Sequence, residues 1–355
     1  MNWTDCLLGK IAAGSNPAQL VSVYRQLIDL GFSCFDVSLP AGRTLVQAGI
    51  PADALRFVCA DLAQLDECIG QGWRRVRLTL ALSRRLQDRE LLAKIQQQGL
   101  VVSVTIHELS DLENWLRQNR QQAAIDANCF ASLILHDADG NWDYARGALV
   151  AAECRRLLPG IKLEFQGNST YQMGTAAALG TIHAGAATLI CSVGGAFGEI
   201  AWEEVWLALS TLGTHQLKSI DQLVGKCREI LTVARVAPLL HKPLLGDNVF
   251  AHESGIHVHG VLRQPEIYEA YAPESVGQTR LLSIGGSSGR IAVETAATLL
   301  GHECTAETVG LVNARIKQMS AAQGYGLTRR QMQSLFFKYC NQRQEAKYGS
   351  VAASC

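Results

Sequence analysis

The feature that most constrains this chain is an alternation of short apolar runs with longer amphipathic segments, from its start to about residue 215. Short apolar runs are typical of buried strands, whereas apolar residues recurring every three or four positions indicate helices. The predicted strands are Asp5 to Leu8, Cys34 to Leu39, Leu55 to Ala60, Arg75 to Leu80, Val101 to Ile106, Ser132 to His136, Lys162 to Phe165 and Thr188 to Ser192. The predicted helices include Pro17 to Leu30, Arg89 to Gln98, Asp111 to Arg120, Tyr144 to Leu157, Gly174 to Ala184 and Trp202 to Leu212.

Eight such alternations predict an α/β fold, a closed (β/α)₈ TIM barrel over residues 1–215. The alternative is a doubly wound open sheet, which is disfavoured because no Gly-x-Gly-x-x-Gly follows the first strand. After residue 215 helices dominate, so residues 216–345 are predicted to form a smaller α-rich region and residues 346–355 a frayed tail. Ser219 to Ala237 is one predicted helix. Another starts at a capping box of Thr328 and Gln331, with Leu327 and Met332 as a hydrophobic staple.

Composition excludes several classes of partner. The 32 basic residues balance 32 acidic ones, so a broad surface for nucleic acid or anionic membrane is not expected. The start of the chain lacks a signal pattern and no apolar run is long enough to span a membrane, which predicts a soluble cytoplasmic protein. The 11 cysteines are scattered singly, and we expect them to be reduced core residues, not a disulfide framework.

The densest group of polar side chains is His252-Glu-Ser-Gly-Ile-His-Val-His-Gly260. Three histidines, a glutamate and two glycines in nine residues indicate a loop that presents polar groups. A surface loop with hydrogen-bonded structural histidines is the alternative. A zinc site fits the spacing less well, because neither a paired Cys-x-x-Cys nor a helical His-Glu-x-x-His is present.

This loop opens a longer signature. It continues through Gln264-Pro-Glu-Ile-Tyr268, Pro273-Glu-Ser-Val-Gly277 and Ile284-Gly-Gly-Ser-Ser-Gly-Arg290. In this order the four blocks resemble the lid region of the homocitrate synthase and 2-isopropylmalate synthase family. The chain stops before a further regulatory domain could fit, which resembles homocitrate synthase more than full-length isopropylmalate synthase. The resemblance implies a TIM barrel followed by an α-rich lid and dimerisation region.

The resemblance also implies a reaction, in which the methyl carbon of an acyl-CoA is joined to the ketone carbon of a 2-oxo acid before the thioester is hydrolysed. A divalent metal would chelate the oxo acid, a base would take the methyl proton, and cationic groups would hold the oxyanion. The family's first-strand motif is Asp-Thr-Thr-Leu-Arg-Asp-Gly, and the matching stretch is Trp3-Thr-Asp-Cys-Leu-Leu-Gly9. Leu7 therefore stands at the enolate-stabilising Arg and Leu8 at a metal-binding Asp.

Later metal motifs are altered as well. Where the family has His-x-His-Asn-Asp, this chain places Gln166 and Asn168 at the two histidines. Its Gly198-Glu-Ile-Ala-Trp202 retains Glu199 but lacks the Arg and the ligand Asn of Gly-Glu-Arg-x-Gly-Asn. Asp5, Gln166 and Asn168 are weak candidate metal ligands, because carboxylate and amide oxygens suit Mg²⁺ better than a transition metal. No cofactor is expected with the site so altered; Mg²⁺, Mn²⁺ or Zn²⁺ is expected only if it is active.

Other family positions are retained. The resemblance gives His257 and Tyr268 catalytic roles in the lid, supported by His252 and Glu253. The candidate substrate-binding residues are Asp36, Asp137, Glu199 and Arg290. Asp137 could instead cap a loop. His259 and Ser287 depart from the Asp and His common in relatives.

Two main functions follow from this pattern, and a metal-free reaction on a related substrate or a purely binding role, with a small carboxylate in the pocket, is a further alternative. The first is a degenerate paralogue, as a homodimer or paired with a complete homologue to whose active site it contributes its lid; acyl-CoA and 2-oxo acids are possible ligands. The second is an active homocitrate synthase-type acyltransferase with an oxygen-ligand metal site. The lid residues His257 and Tyr268 could also persist only for packing.

Overall fold

Eight parallel strands pair in chain order, and the eighth pairs with the first, so the sheet closes into a barrel. The computed structural model describes residues 1–85, 89–119, 130–213, 220–252, 260–261, 263–282 and 284–341. The chain divides into two compact units, Met1–Ile220 with Gly225–Pro238 and Asp221–Val224 with Leu239–Cys355. The predicted (β/α)₈ barrel is therefore confirmed in the first unit. The predicted boundary at 215–216 and the predicted tail at 346–355 lie outside the described residues.

The strands of the barrel are β1 Asn2–Asp5, β2 Phe32–Ser38, β3 Leu55–Cys59, β4 Arg75–Leu78, β5 Val101–Ile106, β6 Ser132–Asp137, β7 Leu163–Gly167 and β8 Thr188–Cys191. The first strand was predicted wrongly at Asp5 to Leu8. The carboxylate of Asp5 explains the difference. It accepts a hydrogen bond from the backbone N–H of Leu8 at 2.8 Å, and the chain turns there into a helix. A short apolar run at a strand end does not distinguish strand from buried helix.

The helices of the first unit are α1 Leu8–Ile11, α2 Pro17–Asp29, α3 Leu39–Gln47, α4 Leu62–Gly70, α5 Leu80–Ser83, α6 Arg89–Gln97, α7 Leu109–Asn119, α8 Tyr144–Leu157, α9 Gly174–His183 and α10 Trp202–Thr211. The next helix, α11 Leu223–Ala234, has its first two residues in the second unit and the others in the first. Their starts follow local capping chemistry. Asn16 and Gln19 form a capping box on α2, and Asp61 and Asp143 accept backbone hydrogen bonds at the starts of α4 and α8.

Two glycines allow α8 and α9 to approach closely. A Cβ atom at Gly180 would lie 2.1 Å from the carbonyl oxygen of Tyr144, and one at Gly147 would lie 2.6 Å from that of Ala177. Since both obstacles are backbone atoms, neither can rotate away. The contact therefore requires glycine at both positions.

The second unit contains α12 Arg290–Leu299, α13 Ala306–Gln323 and α14 Arg329–Phe336, followed by a π-helical turn at Phe337–Asn341. It also has two short parallel strands, β9 Ala251–His252 and β10 Leu281–Leu282. The capping box of Thr328 and Gln331 is confirmed, and Leu327 and Met332 are both buried in the core of this unit. Within the described parts of both units, no helix is long and apolar enough to cross a membrane.

The cysteines correct one expectation. Cys304 and Cys340 form a disulfide, with Cα atoms 5.4 Å apart, although all cysteines were expected to be reduced. The two residues are 36 positions apart, and helix packing in the second unit brings them together. Spacing along the chain does not reveal such a pair. Seven other described cysteines are free and buried, as predicted.

Candidate functional site

The carboxyl ends of the barrel strands surround a cavity of about 610 Å³. Loops that follow parallel strands meet at this end, so residues far apart in sequence lie together. The charged and polar groups that line the cavity are Lys10, Asp36, Ser38, Arg77, Thr79, Thr105, His107, His136, Gln166 and Glu199. Three of the predicted site residues, Asp36, Gln166 and Glu199, are thus brought together.

Asp5 ends β1 and has no exposed surface. Burial raises the pKa of its carboxyl group to about 7, although the backbone N–H groups of Leu8 and Leu7 lower it in part. Its Oδ1 accepts from Leu8, whereas Oδ2 has no hydrogen-bond partner among the described residues. Leu7 and Leu8 are both fully buried and offer no ligand atom.

The two residues at the family's histidine positions have different surroundings. Gln166 in β7 donates from Nε2 to Oε2 of Glu199 at 3.0 Å. Asn168, just after β7, accepts the backbone N–H of Thr170 on its Oδ1 at 2.8 Å and therefore supports the local turn. The backbones of Asn168 and Glu199 also form an isolated antiparallel bridge.

Lys10 is the principal site residue that sequence analysis missed. Its ammonium group lies 2.6 Å from Oε1 of Glu199 and 5.6 Å from the ring centroid of Phe197. Glu199 is thus held by a lysine on one oxygen and by the amide of Gln166 on the other. Lys10 lies on a short helix beyond β1, and no strand-end pattern marks it.

A buried ionic cluster adjoins the cavity, since two of its members, Asp36 and Arg77, line it. Arg56 contacts Asp36 at 2.5 Å and Glu164 at 2.8 Å, and Arg77 contacts Asp36 at 2.8 Å. Burial alone would raise the pKa of Asp36, but attraction and hydrogen bonds from the two arginines outweigh burial and lower it. Ser103 also accepts a hydrogen bond from Arg56 at 3.0 Å. Asp36 is therefore ionised and already engaged by two cations.

Two histidines stand at the rim in an edge-to-face contact. The rings of His107 and His136 are 4.9 Å apart. Burial, then the positive charge of Arg77 and electrostatic interaction with His107, lower the pKa of His136 to about 3, so its ring is neutral at pH 7. His107 directly follows β5 and His136 lies near the end of β6, a strand-end signal that could have identified both.

The contacts of Asp137 match the alternative interpretation that this residue caps a loop. Its carboxylate accepts backbone hydrogen bonds from Gly140, Asn141 and Trp142, at 2.9, 3.2 and 3.0 Å. Gly140 has a positive φ of 71°, and a Cβ there would lie 2.5 Å from the carbonyl oxygen of Asn168. Asp137 thus caps the loop after β6, and its substrate-binding role stays a prediction.

In the second unit, an ionic group surrounds Glu269. Arg280 binds its carboxylate through two nitrogens, at 2.9 and 2.8 Å, and His252 Nε2 lies 3.6 Å away. Tyr268 is partly exposed and its ring covers Gly260, where a Cβ would lie 2.3 Å from the phenol.

Arg290 begins α12. Glu253, His257 and His259 lie outside the described residues, so the catalytic roles predicted for the lid stay predictions.

The donor atoms at the barrel mouth do not fit a transition-metal site. Leu7 and Leu8 have none, the carboxylate of Glu199 is paired with an ammonium group, and the amide oxygen of Asn168 supports a turn. Structural and catalytic metal sites need three or four free imidazole, thiolate or carboxylate donors around one point. Among the described residues, no group of three or more His, Cys, Asp or Glu is placed to hold a metal ion.

The fold and the site define a class of protein, a TIM barrel with polar groups at its C-terminal mouth and a helical unit after it. Residues 244–324 match the family model described as homocitrate synthase post-HMGL domain-like. The predicted resemblance is therefore confirmed, and the chain is homologous to the homocitrate, 2-isopropylmalate and citramalate synthases.

Individual relatives show the extent of this similarity. A protein of Methanosphaerula palustris with the provisional name (R)-citramalate synthase CimA is 27% identical over 312 residues, which are 81% of this chain and 60% of the relative. Homocitrate synthase 1 of Nostoc sp. is 35% identical over 185 residues, 49% of this chain and 48% of the relative. This chain thus spans about half to three-fifths of their length. The HMG-CoA lyase of Brucella melitensis shares the fold, with a TM-score of 0.50 at 12% identity over 66% of this chain and 97% of the lyase.

Proposed function

We propose that this chain is a degenerate homologue of the acyl-CoA and 2-oxo acid condensing synthases, and that it acts as a partner subunit which contributes its lid to a complete synthase. The observation that carries the proposal is the contact of Lys10 with Glu199 at 2.6 Å, completed by Gln166 at 3.0 Å. Lys10 thus engages the same carboxylate as Gln166, which stands at one of the positions where the resemblance expects a metal-binding side chain.

The chemistry of the condensation supports this proposal. A divalent metal chelates the oxo acid and polarises its carbonyl, which requires vacant coordination positions. An ammonium group supplies one positive charge and hydrogen bonds, but it has no vacant coordination position. The apolar side chain of Leu7 cannot stabilise an enolate oxygen either. These features of the described barrel residues support a barrel that does not catalyse the condensation.

The barrel is nevertheless built to remain folded. Asp36, Arg56, Glu164 and Arg77 form a buried cluster in which every charge has a partner of opposite sign. Buried charges are tolerated when they are paired and hydrogen-bonded. This barrel suits a scaffold or binding role without metal chemistry.

The partner role rests on the lid. In the family that the chain resembles, the α-rich segment of one subunit is expected to reach over the barrel of the other. His252, Tyr268 and Glu269 belong to this segment, and Arg280 holds Glu269 in place through hydrogen bonds from two nitrogens. We therefore propose that His257 and Tyr268 act in a complete homologue's active site, in the cytoplasm, within a dimer.

One observation favours the alternative function. Asp5 Oδ2 and Gln166 Oε1 are buried acceptor atoms without a hydrogen-bond partner among the described residues. Hard cations accept such oxygen ligands. An acetyl-CoA-dependent acyltransferase with an oxygen-ligand Mg²⁺ site is therefore the second candidate.

Release of free thiol from acetyl-CoA separates the two functions. The purified chain would be assayed with 2-oxoglutarate, 2-oxoisovalerate and pyruvate, each with Mg²⁺, Mn²⁺ or Zn²⁺. We expect no turnover from the chain alone. Mixed with a complete homologue from the same cell, it should co-purify, and His257→Ala in this chain should lower the activity of the mixture.

Turnover by the chain alone, lost with chelator and with His257→Ala, would establish the active acyltransferase instead. A mixture whose activity ignores His257→Ala would contradict the partner role.

A further inference from the structure

The side-chain amide of Gln166 has only one possible orientation. Its neighbour Glu199 is a carboxylate, which only accepts hydrogen bonds, so the amide nitrogen must face it at 3.0 Å. The oxygen Oε1 consequently faces away from Glu199. It is buried, and no described residue donates a hydrogen bond to it. Buried acceptors in proteins are nearly always satisfied, which indicates that a bound molecule supplies the missing donor.

Arg77, in contrast, has a hydrogen-bond donor without a described acceptor. Its side chain is almost fully buried and lines the same cavity as Gln166. Its Nε donates to Thr105 at 3.2 Å and its Nη1 to Asp36 at 2.8 Å. Nη2 donates to no described residue, so one edge of the guanidinium is open. Such an edge binds carboxylates well in a site of low dielectric constant.

Lys10 adds a second cationic donor. Its ammonium group uses one contact for Glu199, and its side chain is 37% exposed at the same cavity. The carboxylates nearby are already engaged, Asp36 by two arginines and Glu199 by Lys10 and Gln166. Among the described residues that line the cavity, Arg77 and Lys10 offer donors for an anion, and no carboxylate is free for a ligand ammonium group. Two buried polar atoms lack a described partner, Oε1 of Gln166 and the hydroxyl of Thr79, and of these only the amide oxygen is purely an acceptor.

We propose that this cavity binds the anion of a small 2-hydroxy acid without a metal ion. Arg77 and Lys10 bind its carboxylate, and its hydroxyl group donates to Oε1 of Gln166. A 2-oxo acid would place a carbonyl acceptor against the acceptor of Gln166, so it binds more weakly. The volume of about 610 Å³ is ample for such a ligand. This inference rests on the proposed loss of metal chemistry and names the ligand class of the same barrel.

Calorimetric titration of the full chain in EDTA tests the ligand class. Two matched series would be used: lactate, pyruvate and alanine, and 2-hydroxyglutarate, 2-oxoglutarate and glutamate, with both enantiomers of each hydroxy acid. We expect one hydroxy acid to bind at least about tenfold more tightly than its 2-oxo counterpart, the cost of an unpaired buried acceptor. Equal or tighter binding of the 2-oxo acid or the amino acid would overturn the assignment, as would no binding in either series.

Variants separate the two contacts. Gln166→Met should abolish the preference for the hydroxy acid while both acids still bind. Lys10→Gln should weaken both acids about tenfold and keep the preference. Lys94→Gln is the matched control, because Lys94 pairs with Asp66 on the surface, and it should change binding less than about twofold. Unchanged binding in both Lys10→Gln and Gln166→Met would refute the site.

The two proposals fail separately. Metal-dependent release of thiol from acetyl-CoA would refute the proposed loss of catalysis, whatever the calorimetry shows. Absence of acid binding in EDTA, with no turnover, would refute only the inference about the ligand.

Discussion

At the residue scale, Asp5 couples the stability of the barrel to pH. The pKa of its carboxyl group rises from 3.8 to about 7 because the group is buried. Below about pH 4 the group is protonated in both folded and unfolded chains. Between about pH 4 and 7 the unfolded chain loses the proton and the folded chain keeps it, so the free energy of unfolding falls as pH rises, by about 4 kcal/mol at most. Above about pH 7 this contribution is constant.

Asp5→Asn should remove this dependence while its side-chain oxygen still accepts the N–H of Leu8. The measurement is urea unfolding of both proteins at several values between pH 5 and 8. We expect the difference in unfolding free energy to favour the variant increasingly toward pH 7. A difference that stays constant over this range would show that Asp5 has an ordinary pKa.

The buried cluster is also a residue-scale feature. Arg56→Met would leave Glu164 without its cationic partner and Asp36 with only Arg77, so we expect a loss of about 3–5 kcal/mol of stability. Arg156→Met is the control, because its partner Glu153 is exposed, and it should cost less than about 1 kcal/mol. The free energies of unfolding of the two variants would be measured in denaturant. Equal losses of stability would mean that the cluster does not stabilise the barrel.

At the scale of elements, replacing a helical glycine by alanine usually stabilises a helix, but the close contact of α8 with α9 should reverse this effect. Gly180→Ala should destabilise the protein by about 1–3 kcal/mol, because the new Cβ meets the carbonyl of Tyr144. Gly310→Ala in α13 has open surroundings, with no atom closer than 3.9 Å, and should stabilise its helix by up to about 1 kcal/mol. The measurement is the thermal unfolding temperature of the two variants. Stabilisation by both substitutions would contradict the close contact of α8 with α9.

Elements were predicted from sequence where local chemistry decides them. Capping residues such as Thr328 mark helix starts, and apolar runs mark the strands, so most bounds agree with the structure. The first strand was misplaced because the hydrogen bond from Leu8 to Asp5 ends it early. The sequence did not reveal that Gly180 lies at a close helix contact, because the carbonyl of Tyr144 that excludes a Cβ atom there belongs to another helix.

At the scale of the whole molecule, the two units should respond differently to reduction. The disulfide of Cys304 and Cys340 closes a loop of 36 residues in the second unit. Loop-closure entropy predicts a contribution of about 3–4 kcal/mol. Dithiothreitol should therefore lower the unfolding temperature of the second unit, and Cys304→Ser with Cys340→Ser should abolish that response. A barrel transition that shifts equally would contradict a local effect.

The candidate site shows what depends on closure of the whole barrel. Asp36, Gln166 and Glu199 were predicted from the resemblance and do meet at one cavity. Arg56 and Arg77 were hidden inside apolar strands, and Lys10 is 189 positions from its partner Glu199. Such pairings follow from strand order in three dimensions, which no spacing along the sequence encodes.

The lysine at the barrel mouth supplies a positive charge that does not depend on an available ion. A bound metal ion exchanges with free ions in solution, can be displaced by a competing ion and is lost when the ion is scarce. Lys10 is made with the polypeptide, so each copy carries its positive charge in fixed stoichiometry from the moment of synthesis. Acetylation of that lysine is the modification that would remove the charge and release Glu199.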